Sequence, residues 1–388
     1  MTNTIAIFGL LVVLMAIGMP VGVALGLTVL SFMFIFTDVP LESVALKMFT
    51  GIEKFEIMAI PFFILAGNFL THGGVARRMI NFATAMVGHL RGGLGMSAVL
   101  ACALFAAVSG SSPATVVAIG SILIPAMVKQ GYPLRFGAGV VASAGGLGIL
   151  IPPSIVMVMY SVTTNTSVGA LFMAGVIPGL LLAFMLGLCT WYVARKNNYP
   201  TLPRTSWGDR IKHFRKAFWG LMLIVVVMGG IYSGMFTPTE AAAMSAVYAF
   251  FIAVFVYKDL TFKQIPRVLL DSANMSAMLL FIIASAVLFS FILTSEQIPQ
   301  RMADAIVASG MGPIGFLIVV NLLLLVAGAL MEPSSIILIL APILFPVAVA
   351  LGIDPIHFGV MIVVNMEIGM ITPPVGLNLF VASGITKA

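Results

Sequence analysis

Serine and threonine hydroxyls interrupt an otherwise apolar stretch of this chain at Ser109, Ser111, Ser112 and Thr115. Hydroxyl oxygens, together with the carbonyls of a broken helix, form a neutral set of hard oxygen ligands that suits a monovalent cation such as Na⁺. The helix that follows offers the N–H groups of its amino end to an anion. These residue types therefore predict a place where a cation and an anionic molecule bind side by side.

Glycine and proline break the next helix of the same region, in the sequence GLGILIPPS at 146–154. Proline has no amide hydrogen, so a carbonyl one turn earlier loses its usual partner, and glycine permits a bend and a close approach of two backbones. Backbone groups freed in this way cannot face lipid. We therefore expect the break to be buried in protein or to line a watery cavity.

The same pattern recurs near the carboxyl end of the chain. Corresponding residues are Pro125 and Pro346, Gly131 and Gly352, Pro133 and Pro355, Gly148 and Gly369, and Pro152-Pro153 and Pro373-Pro374. The second copy carries Gly328, Glu332, Ser334 and Ser335 in its first interruption, and Gly369 and Thr372 in its second. Paired interruptions in two halves of a membrane protein are typical of a binding site at the interface between repeats.

The composition decides the class of protein in which these interruptions occur. Of the 388 residues, 61% are hydrophobic and 8% are charged, and the mean hydropathy is +1.16. Repeated apolar runs of roughly 20 residues are long enough to span a bilayer as helices. We predict an all-α polytopic membrane protein in a lipid bilayer, built from two inverted repeats. Each repeat would contain a re-entrant helical hairpin and an unwound transmembrane helix.

Other classes fit the sequence less well. The apolar start, from Thr4 to Phe36, is too long for a cleavable signal peptide. The net charge of +6 does not indicate nucleic-acid binding, because the basic residues lie between membrane segments. No Walker motif is present, so we expect no use of ATP. A Ser/His pair, paired aspartates or an HExxH motif at membrane depth is also missing, which disfavours an intramembrane enzyme.

Positive charges predict the topology. Seven Lys and Arg residues lie between Arg195 and Lys216, so this central loop, 195–216, is expected in the cytoplasm. From it we place crossings near 57–72, 134–163, 168–194, 217–235, 239–257, 271–294 and 356–383, and hairpins near 94–131 and 312–351. Two short helices are expected in 4–36, interfacial helices at 75–91 and 297–310, and amphipathic arms at 40–55 and 259–270.

The motifs also resemble those of a known family. SGSSPAT, GLGILIPPS, GMFTPTEAAA, GIDPIHFG and IGMITPPVG are similar to the large membrane subunit of tripartite ATP-independent periplasmic (TRAP) transporters, over essentially the whole chain. The resemblance implies an elevator-type secondary transporter of the bacterial inner membrane that imports organic acids with Na⁺, often C4-dicarboxylates or sialic acid. It also implies two partners, a small four-helix membrane subunit and a periplasmic substrate-binding protein. Members of the family typically continue with a further membrane helix beyond the position of Ala388.

The resemblance assigns roles to individual residues. For one Na⁺ it implies Ser109, Ser112, Gly148, Ile151 and Pro153, the last two through backbone carbonyls. For a second Na⁺ it implies Gly328, Gly369, Thr372 and Val375, and Glu332 stands where relatives commonly have aspartate. An intramembrane carboxylate is a candidate functional residue in its own right. The carboxylate substrate is expected to contact Ser111, Ser112, Ser335 and Asn365.

An elevator divides the chain into a mobile and a fixed part. The transport domain would comprise 94–163 and 312–383, each a hairpin with an unwound helix. The scaffold would comprise 4–93 and 164–311. Two alternatives remain open at this point: a stand-alone divalent-anion:Na⁺ symporter of the same architecture, and a subunit that serves only as a scaffold.

Overall fold

The computed structural model describes residues 2–72 and 74–387, and within these ranges it is helical and contains no strand. The helices of the first half are α1 Thr2–Ala16, α2 Val21–Phe36, α3 Glu42–Gly51, α4 Ala59–His72, α5 Val75–Val87, α6 Gly93–Ser109, α7 Ser112–Lys129, α8 Leu134–Gly145, α9 Leu147–Leu150 and α10 Ile155–Thr164. Those of the second half are α11 Val168–Lys196, α12 Trp207–Tyr232, α13 Pro238–Phe251, α14 Ile265–Ser295, α15 Ile298–Ala308, α16 Pro313–Leu330, α17 Pro333–Ala350, α18 Pro355–Gly369 and α19 Leu377–Thr386. A 3₁₀ turn, Phe55–Met58, precedes α4, and a π turn, Ile252–Val256, follows α13.

The predicted class is confirmed, since the protein is all-helical and many of its helices are apolar. In the described ranges, eight helical segments are long and apolar enough to cross a membrane, or nine if the bent run from α8 to α10 counts as one crossing. Large apolar side chains such as Phe34, Ile177 and Ile314 are more than two-thirds exposed. In water such exposure would be costly, whereas it suits a surface in contact with lipid.

Two helical hairpins lie at the two predicted interruptions. Helices α6 and α7 are joined by Gly110 and Ser111, and α16 and α17 are joined by Met331 and Glu332. Gly110 has a φ of +65°, a backbone conformation that glycine adopts without steric cost. Each hairpin therefore reverses direction within two residues.

Each hairpin is followed by a broken helix. The run from α8 to α10 bends by 41° at Ile151–Ser154, and the run from α18 to α19 is interrupted between Gly369 and Leu377. The Pro152–Pro153 and Pro373–Pro374 peptide bonds are both cis. Both breaks lie where the sequence repeats glycine and proline.

The two repeats exchange their last helices. Helix α10, after the first break, packs on α17 of the second hairpin, and α19, after the second break, packs on α7 and α8 of the first repeat. The Tyr160 ring of α10 contacts the Phe345 ring of α17 edge to face, with centroids 6.2 Å apart. The hairpins and breaks therefore form one body, in which each repeat completes the other.

Three connecting segments differ from their predicted bounds. The central loop 195–216 is shorter, because α11 continues to Lys196 and α12 begins at Trp207, where the Ser206 hydroxyl accepts a hydrogen bond from the Asp209 amide at 3.3 Å. The arm 259–270 is not a separate helix, because α14 begins at Ile265, with a proline in its first turn, and continues unbroken to Ser295. The arm 40–55 contains α3, which packs along α14.

Candidate functional site

Hydrogen bonds among hydroxyls and one carbonyl hold the first hairpin tip together. The Ser111 carbonyl accepts from the Thr115 hydroxyl at 2.8 Å and from the Ser109 hydroxyl at 3.2 Å. The Ser109 and Thr115 hydroxyl oxygens are 2.9 Å apart, and both side chains are buried. The tip thus gathers several neutral oxygens in one buried place, as a small hard cation requires.

The first break lies directly against this tip. A Cβ atom on Gly148 would lie 2.5 Å from the Ser111 carbonyl oxygen and 2.8 Å from the Ser112 Cα, so only glycine allows this approach. On the other side of the turn, the Ile155 amide donates to the Gly110 carbonyl at 3.2 Å. A Cβ atom on Gly110 would lie 3.0 Å from the Pro153 carbonyl oxygen. Four of the five predicted first-site residues, Ser109, Ser112, Gly148 and Pro153, are therefore brought together.

Proline shapes the carbonyl groups of the first break. Pro152 has no N–H to donate to the Gly148 carbonyl one turn earlier. The next carbonyl, that of Ile149, accepts instead from the Ser154 hydroxyl at 2.6 Å. Ile151, the fifth predicted residue, directs its side chain toward Gly179 of α11, where a Cβ atom would lie 2.8 Å from its Cγ1.

Asn378 links the second repeat to the first tip. Its Nδ2 donates to the Ser112 hydroxyl at 2.8 Å and to the Ala142 carbonyl at 3.0 Å, and its Oδ1 accepts from Ser112 at 3.0 Å. Both side chains are fully buried. Sequence reasoning missed Asn378, although a lone asparagine next to the TPPVG break is a signal that could have found it.

The second tip is organised by backbone contact. A Cβ atom on Gly369 would lie 2.7 Å from the Gly328 Cα, so α18 and α16 touch through two glycines. The Val375 amide donates to the Ala329 carbonyl at 2.9 Å. The predicted second-site residues Gly328, Gly369 and Val375 therefore meet in space.

Two polar side chains complete the second tip. The Thr372 hydroxyl donates to the Ile368 carbonyl at 2.6 Å, which leaves its oxygen lone pairs available to a cation. Glu332, the residue that precedes α17, accepts a hydrogen bond from the Ser335 hydroxyl at 3.0 Å. The first-turn contact between these two residues restrains the carboxylate at the tip.

A cavity of about 390 Å³ lies between the two tips. The hairpins contribute Ser109 to Ala114 on one side and Glu332, Pro333 and Ser334 on the other. Helix α4 contributes Asn68 and Thr71, and α14 contributes Met275 and Met278. Its volume lies within the roughly 300–1,000 Å³ of small-molecule sites.

The predicted substrate residues fall into two groups. Ser111 and Ser112 line the cavity. Ser335 is fully buried and bonds to Glu332, and its neighbour Ser334 lines the cavity instead, because α17 turns successive side chains by about 100°. Asn365 is buried against α16, where its Nδ2 donates to the carbonyl and the side-chain oxygen of Asn321 at 3.1 and 3.0 Å.

Two cavity residues of α4 escaped the sequence reasoning. The Asn68 Nδ2 donates to the Ser272 hydroxyl of α14 at 2.8 Å, and the Thr71 hydroxyl donates to the Gly67 carbonyl at 2.7 Å. Gly67 itself approaches the first tip, since a Cβ atom there would lie 3.3 Å from the Ser109 carbonyl oxygen. The signal that could have found them is the presence of two polar residues, Asn68 and Thr71, in the last turns of the otherwise apolar helix α4.

The amino ends of α7 and α17 both point into the cavity. Neither the residue before α7, Ser111, nor the one before α17, Glu332, caps its helix with a side-chain hydrogen bond. The positive ends of two helix dipoles, with the first-turn N–H groups of residues other than Pro113 and Pro333, therefore border the cavity, an arrangement that favours anions.

One buried carboxylate lies outside this cavity. Glu367 on α18 is 5% exposed, and neither of its oxygens has a hydrogen-bond partner in the described part of the chain. It lies against Gly146, the residue at the corresponding position of the first repeat: a Cβ atom there would lie 2.5 Å from the Glu367 Cγ. The two repeats therefore meet here between a glycine and a carboxylate.

Known proteins resemble this chain along nearly its whole length. Residues 8–388 match the family described as "Tripartite ATP-independent periplasmic transporter, DctM component". A C4-dicarboxylate TRAP transporter large permease protein of Rhodobacter capsulatus is 68% identical, over 99% of this chain and 91% of that protein. A sialic acid TRAP transporter large permease protein of Vibrio cholerae is 40% identical, over 98% and 89%. The crystal structure of the Alcanivorax borkumensis YdaH transporter shares the fold, with a TM-score of 0.56 at 14% identity, over 86% of this chain and 80% of that one.

Proposed function

The chain belongs to the family of large permease, or DctM, components of TRAP transporters, and on that premise we propose that it imports a C4-dicarboxylate or a related carboxylate in symport with Na⁺. This membership confirms the resemblance drawn from the sequence motifs. It also makes the protein a transporter subunit, since its relatives are named as permeases rather than enzymes. Its partners would be a small membrane subunit and a periplasmic binding protein, and its location the bacterial inner membrane.

The cavity between the two hairpin tips carries the proposal. A dicarboxylate has two anionic ends, and two uncapped helix amino ends face the cavity from opposite hairpins. One carboxylate at each amino end would receive N–H and hydroxyl contacts without a basic side chain. The C4-dicarboxylate named for the Rhodobacter capsulatus relative has this chemistry.

Sodium ions would complete the site beside the cargo. The first ion would use oxygens of Ser109, Ser112, Gly148, Ile151 and Pro153, the last two through backbone carbonyls. The second would use Gly328, Gly369, Thr372 and Val375, with Glu332 close by. Each cation offsets part of the charge of the dicarboxylate and of Glu332. Because each set joins a hairpin to a break, the ions would also hold the tip in the shape that binds the cargo.

Movement of this loaded body against the rest of the protein would carry the cargo across the membrane. The hairpins and broken helices pack on one another through the exchange of α10 and α19, which suits a unit that moves as a whole. The membrane potential would contribute roughly 2.3 kcal/mol per net charge at 100 mV. Elevator transport of this kind requires no ATP.

Uptake of radiolabelled succinate into proteoliposomes tests the proposal. We expect uptake that requires an inward Na⁺ gradient, the small subunit and the binding protein together. Uptake equally fast with K⁺ in place of Na⁺ would refute symport. Uptake by this chain alone, without either partner, would instead support the stand-alone divalent-anion:Na⁺ symporter.

A further inference from the structure

A second and larger cavity adjoins the one between the tips. It has a volume of about 830 Å³ and shares Thr71 and Val117 with the first cavity. From there it follows one face of α7, past Ala118 to Ser121 and Ile122. Ser121 lies nine residues beyond Ser112, so this face extends about 14 Å from the tip at the helical rise of 1.5 Å per residue.

The walls of this second cavity carry an excess of positive charge. Arg77, Arg78 and Lys216 line it, together with one carboxylate, Asp259. Arg78 forms an ion pair with Asp259, whereas Arg77 and Lys216 make no ion pair within residues 2–72 and 74–387. The exposed side chains of Arg77 and Lys216 therefore line the second cavity, which adjoins the cavity between the tips.

Contacts of Tyr257 join the elements that carry these charges. The Arg78 guanidinium lies over the Tyr257 ring, 3.7 Å from its centroid, and the Tyr257 hydroxyl donates to the Lys216 carbonyl at 2.6 Å. Helix α12, which carries Lys216, packs on α5, which carries Arg77 and Arg78.

We propose that this basic cavity is the release vestibule for the transported carboxylate, which binds there from the cytoplasmic side through Arg77 and Lys216. The inference rests on the proposed function and adds to it the residues that the anion meets after leaving the tips. A cationic cleft raises the local concentration of anions and speeds their capture. Cytoplasmic carboxylate held there would slow further import, so the vestibule would also set the sensitivity of uptake to accumulated product.

The side of the membrane follows from the charges. Lys216 belongs to the basic loop 195–216, which the positive-inside rule places in the cytoplasm, and Arg77 and Arg78 line the same cavity as Lys216. One wall is α7 of the hairpin, and the opposite wall is formed by α4, α5 and α12. Relative movement of these walls would open the vestibule to the tip cavity or close it.

Proteoliposomes that contain the complete transporter test the inference. Binding protein added only outside selects molecules whose cytoplasmic face lies toward the lumen, and succinate loaded inside then reaches only that face. Two quantities are measured: the internal succinate concentration that halves uptake, and the external concentration that supports half-maximal uptake. The variants are Arg77→Gln, Lys216→Gln and both together, with Arg215→Gln as the matched control, since Arg215 is exposed on α12 beside Lys216 but lies outside the cavity lining.

We expect the double variant to raise the internal half-inhibiting concentration about fivefold and to leave the external value within about twofold, because only the inner face loses charge. Arg77→Lys should keep the wild-type internal half-inhibiting concentration, since electrostatic attraction of the anion needs a positive charge rather than the planar guanidinium group. Raised KCl should reduce the difference between the double variant and the wild type in the internal half-inhibiting concentration, because salt screens the charges. Asp259→Asn should lower that internal concentration, because the vestibule then loses its carboxylate.

Two results would overturn the vestibule. One is succinate transport with unchanged internal inhibition in the double variant. The other is an equal change in the internal half-inhibiting concentration and in the external half-maximal concentration of succinate, which would indicate a general structural effect. If the wild-type protein transports no carboxylate at all, the proposed function itself fails and the vestibule fails with it.

Discussion

The two repeats share a sequence pattern but stabilise their tips in different ways. The first tip is joined by hydrogen bonds from the Ser109 and Thr115 hydroxyls to the Ser111 carbonyl, and the Ser109 and Thr115 side chains are buried. The second tip depends on the contact between Gly328 and Gly369 and on one backbone bond from Val375, and Pro373 to Val375 are exposed. The first tip is therefore held largely by the protein's own hydrogen bonds, whereas the second would leave more of its shape to be fixed by the proposed ion.

The exchanged helices show the same asymmetry. Asn378 of α19 bonds to Ser112 of α7, but the corresponding positions of the other repeat are Met157 of α10 and Pro333 of α17, which cannot make that hydrogen bond. One junction between repeats is polar and directional, and the other is apolar. We infer that the first junction fixes the register of the two halves and the second tolerates small movements.

The largest expected effect is that of a methyl group at the first break. Gly148→Ala places a Cβ atom against the Ser111 backbone, which must then shift at a cost of about 1–3 kcal/mol. We expect Na⁺-dependent succinate uptake to fall by about 100-fold, more than for Gly369→Ala, because the first site is the preformed one. The matched control is Gly139→Ala on α8, where a Cβ atom has open space. Equal activity of the Gly148 and Gly139 variants would contradict the close contact.

The next largest effect is expected at the polar junction between the repeats, where Ser112 bonds to Asn378. Ser112→Ala removes one partner of a buried asparagine, and an unpaired buried amide costs about 1–3 kcal/mol. We expect a lower thermal midpoint of the purified complex. The loss in the Ser112→Ala/Asn378→Leu double variant should be smaller than the sum of the two single losses, because the two residues bond to each other and only the bond to the Ala142 carbonyl belongs to Asn378 alone. Met157→Leu, at the apolar junction, should leave the midpoint nearly unchanged. Additive losses in the double variant would show that the two residues act separately.

Thr372 tests the second site at its hydroxyl group. Thr372→Ala should raise the Na⁺ concentration for half-maximal uptake at least about tenfold, because the proposed site loses one oxygen ligand and a contact to a charged group is worth about 1.5–3 kcal/mol. Thr372→Ser keeps the oxygen and should behave as the wild type. The Na⁺ dependence of initial uptake rates provides the measurement. A Thr372→Ala variant with an unaltered Na⁺ dependence would exclude this hydroxyl as a ligand.

Glu332 should give the smallest effect of the four. Glu332→Gln keeps an acceptor for the Ser335 hydroxyl and removes only a charge at the partly exposed tip, where charge interactions are worth about 0–1 kcal/mol. We expect the Na⁺ concentration for half-maximal uptake to rise by about twofold. Ser335→Ala serves as the control for the hydrogen bond alone. Complete loss of uptake in Glu332→Gln would instead make the carboxylate a direct and essential ligand.

The sequence predicted those features that depend on local chemistry. Glycine and proline act on the backbone where they stand, so the tips at Gly110–Ser111 and Met331–Glu332 and the breaks at Pro152 and Pro373 could be located from residue types alone. The inverted repeat helped because each break was seen twice. The capping of α13 is equally local: the Thr237 hydroxyl accepts from the Glu240 amide, and the Glu240 carboxylate accepts from the Thr237 amide.

Residues whose role depends on long-range packing could not be predicted. The position of Asn378 beside the TPPVG break marks it as a candidate, but nothing in the nearby sequence shows that its partner is Ser112 of the other repeat. Asn365 likewise pairs with Asn321 only because α16 and α18 lie side by side. Ser334 lines the cavity where Ser335 was predicted. The rotation of α17 about its axis decides which of the two serines faces the cavity, and a sequence motif does not show that rotation. The length of α14 was likewise missed, because no breaker separates the basic segment near Arg267 from the apolar one.

Equilibrium binding of ²²Na⁺ to the purified complex tests most directly whether the two broken repeats each hold an ion. We expect two saturable ions per large subunit in the wild type and in Gly139→Ala, with one ion lost in Gly148→Ala and the other in Gly369→Ala. Undiminished binding in both break variants, or the absence of saturable binding in the wild type, would contradict this expectation.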